Sequence, residues 1–60
     1  MKFIHNFVNG RDGREAVVLY DPLLREYHVR LMVGGACMWR LHLDTEQEAM
    51  RIAEQIVQIK

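Results

Sequence analysis

Apolar and polar positions alternate most cleanly between Tyr27 and Leu43. One face reads Tyr27, Val29, Leu31, then Cys37, Trp39, Leu41, Leu43; the other reads His28, Arg30, Met32, then Met38, Arg40, His42. A period of two over both segments predicts two antiparallel strands, residues 27–33 and 36–43, joined through Gly34-Gly35. They form a sheet with one dry face and one wet face. A two-residue loop would pair Leu31 with Met38 and set apolar residues against polar ones, because a slip of one residue flips every side chain. A three-residue loop with a glycine bulge restores the pattern. It opposes Leu31 to Cys37, Val29 to Trp39 and Tyr27 to Leu41, and places Arg30 opposite Met38 and His28 opposite Arg40. The other repair sets Arg30 against Arg40 and His28 against His42, which costs repulsion when the histidines are charged, so the first is preferred.

Two earlier segments are also strand-like. In residues 2–8, Phe3, His5 and Phe7 share one face and Ile4 and Val8 the other. Residues 15–20 are β-branched and apolar on both faces, as in a central strand or one covered by a partner. Either Val17 and Leu19, or Ala16, Val18 and Tyr20, must join the wet face. Asn9-Gly10-Arg11-Asp12-Gly13 and Asp21-Pro22-Leu23-Leu24-Arg25 are the turns between these strands. Leu23 and Leu24, at a loop tip, are expected to fold back on the small core. Asp44-Thr45-Glu46-Gln47-Glu48 opens a helix, with Thr45 and Glu48 spaced as a capping box. Ala49, Ile52, Ala53, Ile56 and Ile59 then repeat at helical spacing. This stripe is expected on the Val29, Leu31, Trp39, Leu41 face. The fold class is α+β: an antiparallel sheet of three or four strands with one carboxy-terminal helix on one face, β-β-β-(β)-α, in a single domain over residues 1–60.

Sixty residues bound the energetics. So short a chain buries roughly 60% of its unfolded surface, and one core supplies about 3–5 kcal/mol. One cysteine excludes an internal disulfide and a cysteine-rich zinc module. No apolar run approaches the ~20 residues of a membrane span, and His5, Asn6 and Asn9 interrupt the amino-terminal run too early for a signal peptide. The expectation is a cytoplasmic protein. Residues 1–43 hold six Lys/Arg against four Asp/Glu, and residues 44–60 hold two against four. Neither part has the basic excess of a protein that grips many phosphates.

Candidate chemistry narrows accordingly. His5, His28 and His42 do not converge on the expected register, and no carboxylate joins them, so no metal or cofactor is expected. Cys37 falls on the dry face, where thiols are inert. No paired carboxylates, phosphate loop or nucleophile–histidine arrangement is visible, and the expectation is a non-enzyme. The wet face remains. Arg30 and Arg40 suit phosphate or carboxylate, and Met32 and Met38 offer adaptable apolar contact. With His28 and His42 they are the candidate partner-binding residues. Their enlarged apolar patch invites a macromolecule or a second copy of the chain.

Three resemblances add to this. The element order, the Asp21-Pro22 turn and the segment Leu43-Asp44-Thr45-Glu46-Gln47-Glu48-Ala49 resemble three-strand-plus-helix DNA-binding modules of the plant AP2 and phage-integrase amino-terminal type. That likeness implies a sheet laid in the major groove, with Arg30, Arg40 and His28 on bases and phosphates. The Met-Lys-Phe-Ile opening, the strand end at Tyr20 and the helix start resemble small phage-encoded anti-CRISPR proteins. Those are non-enzymatic inhibitors of a ribonucleoprotein complex, and the likeness adds Tyr20 to the contact region. The β-β-β-α order and helix start are also similar to HicB-type antitoxins. The leading expectation is a small regulator or inhibitor docking its sheet face on a protein or ribonucleoprotein. The alternatives are a DNA-binding module and a structural homodimer or antitoxin-like protein.

Overall fold

A computed structural model describes residues 1–58. Four strands, β1 (Lys2–Asn9), β2 (Arg14–Asp21), β3 (Glu26–Val33) and β4 (Ala36–Leu43), precede one helix, α1 (Glu46–Gln58). The strands form an antiparallel meander in the order β1-β2-β3-β4. The α+β architecture is therefore as expected, with all four strands in one sheet.

The turns follow local chemistry. Asp21 Oδ1 accepts from the backbone N–H groups of Leu23 and Leu24, at 3.0 and 3.3 Å, and holds the four-residue β2–β3 loop. Leu23 and Leu24 do not fold back. They stand in solvent at the tip, 92% and 64% exposed, with their backbone held in the turn by Asp21, and Arg25, at a left-handed φ of 55°, returns the chain to β3. Gly34 and Gly35 both have positive φ, which suits a primed two-residue hairpin turn.

The helix covers β1, β2 and β3 more than β4. Its buried residues are Ala49, Ala53 and Val57, packed on Ala16, Val18 and Val29. Three alanines in this core let the helix approach the sheet closely, and valine is its largest fully buried side chain. Ile4, Phe7, Tyr27, Leu43, Met50 and Ile56 close the margins. The expected stripe is thus displaced toward β2. Ile52 is only half-buried, Ile59 lies outside the described residues, and Trp39 and Leu41 remain more than a third exposed. The small residues decide this: Ala16 on the central strand offers the shallow seat that Trp39 on the edge denies.

Both helix ends are tied down. Thr45 Oγ1 accepts from the Glu48 N–H at 3.3 Å, the threonine half of the expected capping box. At the other end Asn9 Nδ2 donates to the Val57 carbonyl at 2.6 Å and Arg14 Nη1 to the Ile56 carbonyl at 3.4 Å. Those carbonyls lie in the last described turn of α1, and the β1–β2 hairpin supplies donors to them.

Each edge strand carries a bulge. In β1 the register shifts between Phe3 and His5, which leaves Ile4 packing on the core. Phe3 is thereby opposed to Leu19, on the face away from the helix, and no longer shares a face with His5 and Phe7. In β4 the shift falls at Met38, between the pairs Met32–Cys37 and Leu31–Trp39. Bulged edges discourage pairing with another sheet.

Candidate docking face and histidine cluster

The β4 bulge sets the chemistry of the open face. The two-residue turn stays tight and the correction comes three residues later, at Met38, rather than by lengthening the loop. The resulting pairs are Val29–Leu41, Leu31–Trp39 and Tyr27–Leu43 on the helix side, with Arg30–Arg40 and His28–His42 on the other. This is the arrangement the sequence reading set aside. The cost of opposed like residues is modest, roughly 0.2–1 kcal/mol for a cross-strand pair. Matching the apolar rows to the core outweighs it.

Away from the helix, the registers assemble side chains in rows across the strands. Phe3, Leu19, His28 and His42 form one row; Asn6, Val17, Arg30 and Arg40 the next; Val8, Glu15, Met32 and Cys37 a third. Asp21 and Glu26 make a short acidic row beyond the histidines. Val17 and Leu19, not Ala16, Val18 and Tyr20, therefore join this face. Tyr20 lies on the helix side with its ring 4.8 Å from that of Tyr27, apart from the arginines. Cys37 is exposed, opposite Met32, and not on the dry face. Met38, at the bulge, is 62% exposed, whereas Met32 is half-buried.

Arg30 and Arg40 face one another with no ion pair among the described residues. Arg30 Nε is buried without a hydrogen-bond partner, and one terminal nitrogen lies 3.9 Å from the Met1 sulfur, a weak acceptor. Asn6 Nδ2 donates to Glu15 Oε2 at 2.7 Å, so the nearby carboxylate is engaged by the amide instead of an arginine.

The histidine row differs most from expectation. His28 is not a solvated surface residue: it is 3% exposed, between Leu19 and His42 in its row. Its ring stacks on that of His42, with centroids 4.1 Å apart and planes 23° from parallel. Glu26 Oε1 lies 3.5 Å from His28 Nε2 and 3.3 Å from His42 Nδ1. Neither contact is a hydrogen bond, and both ring nitrogens of His28 are buried without a partner. The expected register places these histidines diagonally, with no carboxylate beside them. The strand begins at Glu26, one residue before the expected start at Tyr27, and the same alternation puts Glu26, His28 and Arg30 on one face.

Among the described residues no helix is long and apolar enough to cross a membrane. Compared with protein-family models, with curated protein sequences and with solved structures, the chain matches none.

Proposed function

We propose that the chain is a non-enzymatic binding protein, a small regulator or inhibitor that docks its open sheet face on a protein or ribonucleoprotein. The observation that carries this is the Arg30–Arg40 pair: two cations directly opposed, without carboxylate partners among the described residues, within a partly apolar face. An anionic group on a partner relieves their repulsion and takes their bidentate donors. Val17, Leu19, Phe3, Met32 and Met38 supply the apolar surround. A thin alanine–valine core also gains from burial of a second surface. The anti-CRISPR resemblance implies the same mode of action, with the contact region shifted from Tyr20 toward the arginines.

Bare duplex DNA fits less well. Two arginine–phosphate contacts give a slope of roughly −2 in log affinity against log salt, far below the −5 to −9 of proteins making 6–10 such contacts. Edge-to-edge homodimerisation is opposed by the bulges in both outer strands. The test is capture by the tagged chain from nuclease-treated and untreated lysates, beside an Arg30→Glu/Arg40→Glu variant and an Arg51→Glu control on the exposed helix surface. The expected result is one complex retained by the parent and the control, and lost from the double variant. Retention by the double variant sinks the face assignment. Retention of naked duplex with a steep salt slope replaces the reading with the DNA-binding one.

A further inference from the structure

We infer that Glu26, His28 and His42 form a binding site for one divalent transition-metal ion of the zinc class, with the remaining coordination open to solvent or to a partner's ligand. The inference does not depend on the docking reading. Each residue offers one ligand atom, and the three atoms lie within 4.8 Å of one another. Tetrahedral zinc with bonds of about 2.0–2.1 Å holds its ligand atoms about 3.3–3.4 Å apart. The Glu26 oxygen stands 3.3 Å from one histidine nitrogen and 3.5 Å from the other, which is that spacing.

The second observation is His28 itself. A buried ring whose nitrogens find no hydrogen bond forfeits solvation, and such a group needs an explanation. A metal on Nε2 supplies a partner for that nitrogen. Strand geometry also brings the three residues together. Glu26 and His28 are two apart on β3 and project to one face; His42 is the direct cross-strand partner of His28. Leu19 and His42 flank His28 in its row and hold the imidazole where no acceptor orients Nδ1. His42 is half-exposed, with a side chain 51% accessible, so its ring turns from the stacked position to direct Nδ1 at the ion without disturbing the core.

Two imidazoles and one carboxylate select borderline metals over magnesium and calcium, which require more oxygen ligands. Arg30 and Arg40 occupy the adjacent row, so an anion filling the open coordination is met by cations on its flank.

The experiment is titration of the full chain with zinc and, separately, cobalt(II), read by calorimetry, visible absorption and nitrogen-15 shifts of the histidine rings. Expected is one ion per chain, a tetrahedral cobalt spectrum, and shifts of His28 Nε2 and His42 Nδ1 with His5 unmoved. His42→Ala and Glu26→Gln, both at accessible positions, weaken binding at least about tenfold; His5→Ala and Cys37→Ser leave it unchanged. Circular dichroism confirms that each variant is folded. Absence of saturable binding, one ion per two chains, or parental affinity in both His42→Ala and Glu26→Gln overturns the site. The docking reading fails separately, through Arg30 and Arg40.

Discussion

The two faces of this sheet follow the same alternation but solve different problems. Under the helix, Ala16, Val18 and Val29 are sealed by Ala49, Ala53 and Val57, and the buried side chains are small. On the open face, like residues oppose one another, His28 is buried without hydrogen bonds, and two arginines lack carboxylate partners among the described residues. The first face has the features of a stability element. The second spends stability, a pattern associated with functional surfaces in otherwise consistent folds. The difference teaches where substitution should destroy the protein and where it should change only what the protein meets.

The largest effect is expected beneath the helix. Val29→Asp places a carboxylate at a fully buried position in a cluster with Val18, Ala53 and other apolar residues, none of them a cation. An unpaired buried charge costs several kcal/mol, which matches or exceeds the roughly 3–5 kcal/mol a core of this size supplies. The variant should show no cooperative unfolding transition by circular dichroism. A parental melting curve would mean that the helix does not seal this face.

A milder pair sharpens the contrast. Ala53→Leu adds three carbons at a fully buried position between helix and sheet, and overpacking of this kind costs about 1–3 kcal/mol. Leu19→Ser, in the open-face row with His28, removes a half-buried side chain, worth about 1 kcal/mol at that coverage. Urea unfolding midpoints should rank Ala53→Leu as the more damaging. Equal losses would erase the asymmetry between the faces.

The legibility of these faces from sequence was uneven for physical reasons. Strand alternation, the Asp21 turn and the Thr45 cap are local, and the structure contains each of them. The β3–β4 register is not local. Gly34-Gly35 is compatible with a tight turn, the apolar rows must match across it, and only a bulge satisfies both. A bulge leaves almost no signature in an edge strand, where any residue facing solvent can be the extra one; here it is Met38. That single inserted residue moved Cys37 off the dry face and brought His28 onto His42. Helix placement was similarly indirect. Ala49 and Ala53 of the expected stripe are buried and Ile56 packs at the margin, but Ile52 is only half-buried and Val57, which the stripe omitted, is buried, so the buried side is rotated from the one the isoleucine spacing marks. The placement of Arg30, Arg40 and Met32 away from the helix was readable because alternation alone sets the face of a strand residue, whereas Met38 sits at the bulge, where alternation breaks, and the burial of Arg30 Nε and Met32 depends on neighbouring strands.

The smallest effect carries the most pointed test, because stability and function should move in opposite directions. Arg40→Glu puts a carboxylate directly across from Arg30, replacing cross-strand repulsion with attraction. Such an exchange contributes roughly 0.2–1 kcal/mol, and it should appear as a slightly raised unfolding midpoint that falls back toward the parental value in high salt. The same variant should lose the captured partner, since the pair no longer presents two free guanidinium groups. If Arg40→Glu neither stabilises the chain nor weakens capture, the opposed arginines are idle surface. If it destabilises, Arg40 is engaged in the fold itself and the open face is not separable from the covered one.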